Sequence, residues 1–141
     1  MTHNELSSII INTAIDIHRK LGPGLLESVY LAVLEYELKK RGLLVQKEVP
    51  VPVQWDNLRL EIGFRADLII EGMVLIELKS VEQVAAVHKK QVLTYIKLTD
   101  LRLGLLVNFG AELLKHGITR IINGTIEDAQ PDLTQDQSQD Y

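Results

Sequence analysis

The nine residues 102–110, RLGLLVNFG, are apolar almost without interruption over the length of one β-strand. A strand with one wet face alternates apolar and polar side chains. A run that does not alternate has to be covered on both faces, so it belongs in the middle of a sheet with other layers above and below it. The N-terminal part of the chain offers such a layer. Across residues 5–21 apolar side chains recur at Leu6, Ile9, Ile10, Ala14, Ile17 and Leu21, which is helical spacing. Gly22, Pro23 and Gly24 stop that helix and start a second over residues 25–41, which closes at Gly42. The last turn of the second helix carries Lys39, Lys40 and Arg41, cations that suit the negative end of its dipole.

The period then changes from helical to alternating. Val45, Val49, Val51, Val53 and Trp55 mark a strand with one polar face, and Pro50 and Pro52 within it call for an edge position or a bulge. Asp56-Asn57 turns the chain into a second strand, LRLEIGFRADLII, and Glu71-Gly72 turns it into a third, MVLIELKS. From Val81 or Glu82 to about Leu98 the spacing is helical again. After the apolar run come a short helical turn near residues 111–114 and a last short strand, GITRIIN. The order α-α-β-β-β-α-β-(β) predicts a mixed α/β (α+β) domain, a mixed sheet flanked by helices. One domain over residues 1–126 is expected. Residues 127–141 hold five acids and no Lys or Arg, the composition of a disordered tail.

That tail accounts for the charge. The chain has 15 basic and 19 acidic residues, so the body without the tail's five acids is close to neutral. A neutral body does not bind nucleic acid tightly through nonspecific phosphate contacts alone. There is no cysteine, which excludes disulfides and thiolate metal sites. No apolar run reaches the length of a membrane span, and the N-terminus lacks the pattern of a secretory signal, so no membrane association and a cytoplasmic location are expected.

Against this background residues 67–79, DLIIEGMVLIELK, are unusual, because three charges interrupt a segment that otherwise reads as buried strand. Glu77 and Lys79, two apart, share one face of the third strand, opposite Ile76 and Leu78. Asp67 joins them only in the right register. A two-residue turn at Glu71-Gly72 puts Asp67 on the other face, whereas a three-residue loop with Gly72 at positive φ, or a bulge near Asp67, brings it to the same one. A solvated strip of charges would have the same spacing. On a partly covered face, however, two acids repel unless a cation neutralises them. Lys79 supplies one charge, and a hard divalent ion held by carboxylate oxygens would supply more.

The arrangement D…E-x-K across a hairpin, between a preceding helix and a following helix and strand, resembles the PD-(D/E)XK nuclease superfamily, with Arg65-Ala66 standing where the family pattern has proline. LGPGLLESVY, with Gly24, Glu27 and Tyr30, resembles the signature of the GxxExxY proteins, a branch of that superfamily. The likeness continues in order through ADLIIEGMVLIELKS, HKKQVLTYIKL and GLLVNFG. Gln91 and Tyr95, four apart on one helix face, resemble the Q-x-x-x-Y element of RecB-like exonucleases.

The resemblance implies a restriction-endonuclease-like core and divalent-metal-dependent hydrolysis of phosphodiesters in nucleic acid, DNA more readily than RNA. It implies that Asp67 and Glu77 hold Mg²⁺ or Mn²⁺, joined by Glu27 and the backbone carbonyl of Leu78. Lys79 would stabilise the transition state, and Gln91 would position the lysine or the water. Tyr95, His88, Lys89, Lys90 and Tyr30 are expected to contact substrate or support the site. Glu27 also suits a helix's first turn electrostatically, and His18 is expected to be a packed, hydrogen-bonded histidine. The other reading is a noncatalytic nucleic-acid-binding or assembly module that keeps the fold. So small a chain has little surface for clamping a duplex, and a homodimer or larger assembly is expected.

Overall fold

The computed structural model describes residues 1–126 and 138–140 of the chain. Two helices come first, α1 (His3–Leu21) and α2 (Glu27–Lys40). The sequence sets the start of α1: Thr2 Oγ1 accepts the amide of Glu5, and the Glu5 carboxylate accepts the amide of Thr2 in return. The strands β1 (Val45–Trp55), β2 (Leu58–Ile70) and β3 (Val74–Lys79) come next, then α3 (Ala86–Leu98), β4 (Leu103–Asn108), a 3₁₀ turn (Leu114–His116), β5 (Ile118–Ile122) and β6 (Ser138–Asp140).

The six strands lie in the sheet in the order in which they occur in the chain. All neighbours are antiparallel except β3 and β4, which run parallel with α3 as their crossover. The expected element order and the mixed sheet flanked by helices are therefore present. β4 is central and buried along its whole length. β1 is an edge strand, and its pairing with β2 shifts between Val51 and Val53, so the proline-rich strand has both features that its prolines called for. The helix expected from residue 81 begins only at Ala86, because Val81 is bound by both its amide and its carbonyl to the Asn108 side chain. Of the acidic segment expected to be disordered, only β6 is described, paired with β5; residues 127–137 and 141 lie outside the described residues.

Alternation along the strands divides the core in two. Leu68, Ile70, Ile76, Leu78, Leu105 and Val107 face α1 and α2. Ile69, Leu75 and Leu106 face α3, against Val92 and Ile96. The second layer is tight at Gly104, where a Cβ would come within 2.6 Å of Val92 Cγ1 and 3.1 Å of Ile96 Cγ2. Only a glycine lets α3 lie this close to the sheet, and that closeness carries Tyr95 down towards β2 and β3.

Candidate active site

The hairpin between β2 and β3 has the three-residue loop. Leu68 pairs with Ile76, Ile69 with Leu75 and Ile70 with Val74, leaving Glu71, Gly72 and Met73 outside the ladder. Glu71 and Gly72 both take positive φ, 54° and 63°, and Ile70's carbonyl accepts the amide of Met73. In this register Asp67 comes opposite Glu77, on the α3 side of the sheet. β2 also turns over at Asp67: Ala66 packs on the α3 side and Leu68 on the opposite side, where an unbroken strand would hold both on one face. Across from Asp67, Glu48 sits at φ 51° and is missing from the ladder between Lys47 and Val49.

The ladder between β2 and β3 ends at this point, and carboxylates take its place. Glu77 Oε1 accepts the amide of Asp67 at 3.0 Å, and Asp67 Oδ2 accepts the amide of Leu78 at 2.8 Å. The amide of Leu78 thus faces the gap, and in an extended residue the carbonyl points to the same edge as the amide. Both acids are half-buried. Burial, then the charge of Asp67, pushes the Glu77 carboxyl up to about 8, with Glu27 adding to the rise and Lys79 opposing it. Burial raises Asp67 as well; Glu27 and Glu48 push the same way, while the Leu78 amide and Lys79 pull it down. The pair is therefore short of positive charge.

Lys79 is half-buried one step along the same face. Glu27 is exposed, the first residue of α2, and lines a groove of about 500 Å³ with Pro23, Gly24, Ser80 and Glu82. Its charge reaches both acids, yet it does not close with them into a three-ligand cluster. Among the described residues no group of three or more His, Asp or Glu side chains is placed to hold a metal ion.

Tyr95 stands over the pair from α3. Its ring stacks on Phe64 with centroids 3.6 Å apart, and burial followed by the charges of Glu77 and Asp67 raises its hydroxyl. Gln91, one turn earlier, is exposed on α3. His88 accepts the amide of Ala85 through Nδ1 at 3.3 Å and so caps the start of α3. Lys90 is exposed, and Lys89 lines a separate hollow with Asn108 and His116.

Tyr30 is fully buried, stacked on Phe109 at 4.4 Å; it is a support, out of reach of substrate. Its hydroxyl donates to the Gly22 carbonyl at 2.5 Å and accepts the Leu25 amide at 3.1 Å, folding the loop ahead of Glu27 into a fixed shape. Ser80 Oγ ties the same loop to the end of β3 through the Leu25 carbonyl, at 2.6 Å. His18 is packed as expected, with Nε2 2.8 Å from the Ala111 carbonyl.

Asn108, Ser80, Phe64 and Glu48 were not singled out in the sequence. Asn108 did leave a signal, a lone amide in an apolar run. Glu48 left none, because its position depends on a kink in β1.

A layered domain with a six-stranded mixed sheet and an acid pair at the open end of a hairpin is the architecture of a restriction-endonuclease-like fold. The family model described as the PD-(D/E)XK nuclease superfamily matches residues 4–121, and the chain belongs to that superfamily. Comparisons with curated proteins and with solved structures found no match. No helix among the described residues is long and apolar enough to cross a membrane.

Proposed function

We propose that the chain is a divalent-metal-dependent phosphodiesterase acting on nucleic acid, DNA in preference to RNA, and that it belongs to the GxxExxY branch of its superfamily. The observation that carries this reading is the interrupted ladder: Asp67 and Glu77 meet where β2 and β3 part, with Lys79 on the same face.

The donor set suits Mg²⁺ or Mn²⁺. It consists of carboxylate oxygens with room for the carbonyl of Leu78, and two carboxylates are enough for an ion that keeps several of its waters. The raised Glu77 fits the same view, since an added cation would relieve what raises it. When bound, the ion supplies charge for the phosphate and an activated water. The chain's own residues do the rest. Asp67 and Glu77 would hold the ion, and each is kept in position by an amide of the facing strand. Lys79 offers a cation to the charge that develops on the phosphate in the transition state. Glu27, held by the loop that Tyr30 clamps, acts through a water or by its field. Tyr95 limits access of water from the α3 side, and Gln91 positions the lysine or the attacking water.

Incubation with single-stranded, duplex and branched DNA and with RNA, in Mg²⁺ and in Mn²⁺, tests the reading. Cleavage lost in Asp67→Ala and in Lys79→Ala supports it; cleavage that survives both substitutions defeats it. A noncatalytic module keeping the same fold is favoured by one observation, the near-neutral charge of the body. Calorimetric titration with Mn²⁺ separates the two, because a module has no metal binding that depends on Asp67.

A further inference from the structure

Beyond Val53 the β1–β2 ribbon is exposed at every residue from Gln54 to Glu61. The register shifts between Val51 and Val53, with residues 61–63 of β2 set against Pro52 alone, and a bulge of this kind re-aims the outer part of both strands. The outer arm has three pairs, Val53 with Leu60, Gln54 with Arg59 and Trp55 with Leu58. Directly opposed residues share a face, as do residues two apart. Val53, Trp55, Leu58 and Leu60 therefore make one apolar face of the arm, and Gln54 and Arg59 make the other. That apolar face is open to solvent: Trp55 is 72% exposed, Leu58 54% and Leu60 42%. Among the described residues the far edge of β2 also has no partner strand along the arm, since its pairing with β3 reaches only to Leu68.

We propose that this arm is the surface through which two copies of the chain associate, apolar face on apolar face about a two-fold axis. A two-stranded ribbon is marginally stable alone and gains stability when its apolar face is covered. A nucleic-acid strand is a poor occupant. The arm's outer cation, Arg59, is already paired with Glu61 at 2.6 Å, and the body around it is neutral. A second copy fits on area. Each arm offers about 300 Å² of apolar side chain. At the usual apolar share of an interface, two such faces give a total of about 1,000 Å², near the lower limit for a specific contact. The dimer is accordingly weak and dependent on concentration. The inference stands on the arm alone and not on the nuclease reading.

The test is sedimentation of the full chain from low to high micromolar concentration, beside the double variant Trp55→Lys, Leu58→Glu. The wild type is expected to shift from monomer to dimer, and the double variant to stay monomeric with an unchanged circular dichroism spectrum. The chain has no cysteine, so Leu58→Cys gives a single thiol that a short bismaleimide should link between copies. Lys39→Cys, on the exposed side of α2, should not link. The cross-link reads the same contact should the double variant fold poorly. A wild type that stays monomeric throughout overturns the proposal, as does a double variant that still dimerises or a Leu58→Cys chain that fails to link. A monomeric wild type whose nucleic-acid binding is lost in the double variant also overturns it and assigns the arm to substrate.

Discussion

At the scale of single residues, the acid pair sets the pH behaviour of the protein. Glu77 rises from 4.5 to about 8 in the folded chain, so between those values the folded state binds more protons than the unfolded one. Stability without metal should therefore fall as pH rises from about 4.5 to 8 and then level off. Melting curves of metal-free protein across that range should show the fall, and Glu77→Gln should flatten it while leaving an oxygen for the Asp67 amide. Metal affinity should run the other way. A bound ion has to displace the proton, so Mn²⁺ affinity measured by calorimetry should climb about tenfold per pH unit below 8 and level off above it. Lys79→Ala removes a cation and no ligand; it should cost about 10²–10³ in cleavage rate and spare Mn²⁺ binding. That Glu77 and Lys79 share a face could be read in the sequence, because residues two apart on a strand do so, while the place of Asp67 beside them hung on the length of the hairpin loop. The gap between the strands could not, because it depends on which amides the carboxylates capture. Glu48 was hidden for a related reason: nothing in KEVPVP announces a positive φ at a glutamate.

At the scale of elements, the site is held by the ends of its strands. Asn108 accepts the amides of Val81 and Gly110 and donates to the Val81 carbonyl, joining the exits of β3 and β4. Asn108→Ala strands three polar groups and should cost about 2–4 kcal/mol of stability, measured by urea unfolding. On the opposite layer Gly104→Ala should cost about 1–3 kcal/mol, since α3 has to lift from the sheet. The period of the side chains revealed these elements well. The doubly covered run became the central strand, and the prolines marked the edge. Their boundaries were less legible: residues 81–85 keep a helical spacing, but the bonds to Asn108 hold Val81 extended, a contact 27 residues distant. Tyr30 was visible as part of GLLESVY, while its work of clamping a loop shows only once Gly22 and Leu25 are near its hydroxyl.

At the scale of the whole molecule, the strands succeed one another across the sheet as they do along the chain. This has a consequence for how the protein folds. Asp67 and Glu77 are ten residues apart and meet as soon as their hairpin zips, while β3 reaches β4 only after the chain has closed from Val74 to Leu103. Local pairings form sooner than distant ones. The two acids thus come together in open water, where their repulsion is weak, and lose that water only when α3 docks. The electrostatic cost then falls on docking and not on hairpin closure. Stopped-flow refolding of metal-free protein should accordingly slow as pH rises towards 8, and Glu77→Gln should refold at nearly one rate across the range. An equal slowing in that variant would mean that the charge of Glu77 is not what slows folding.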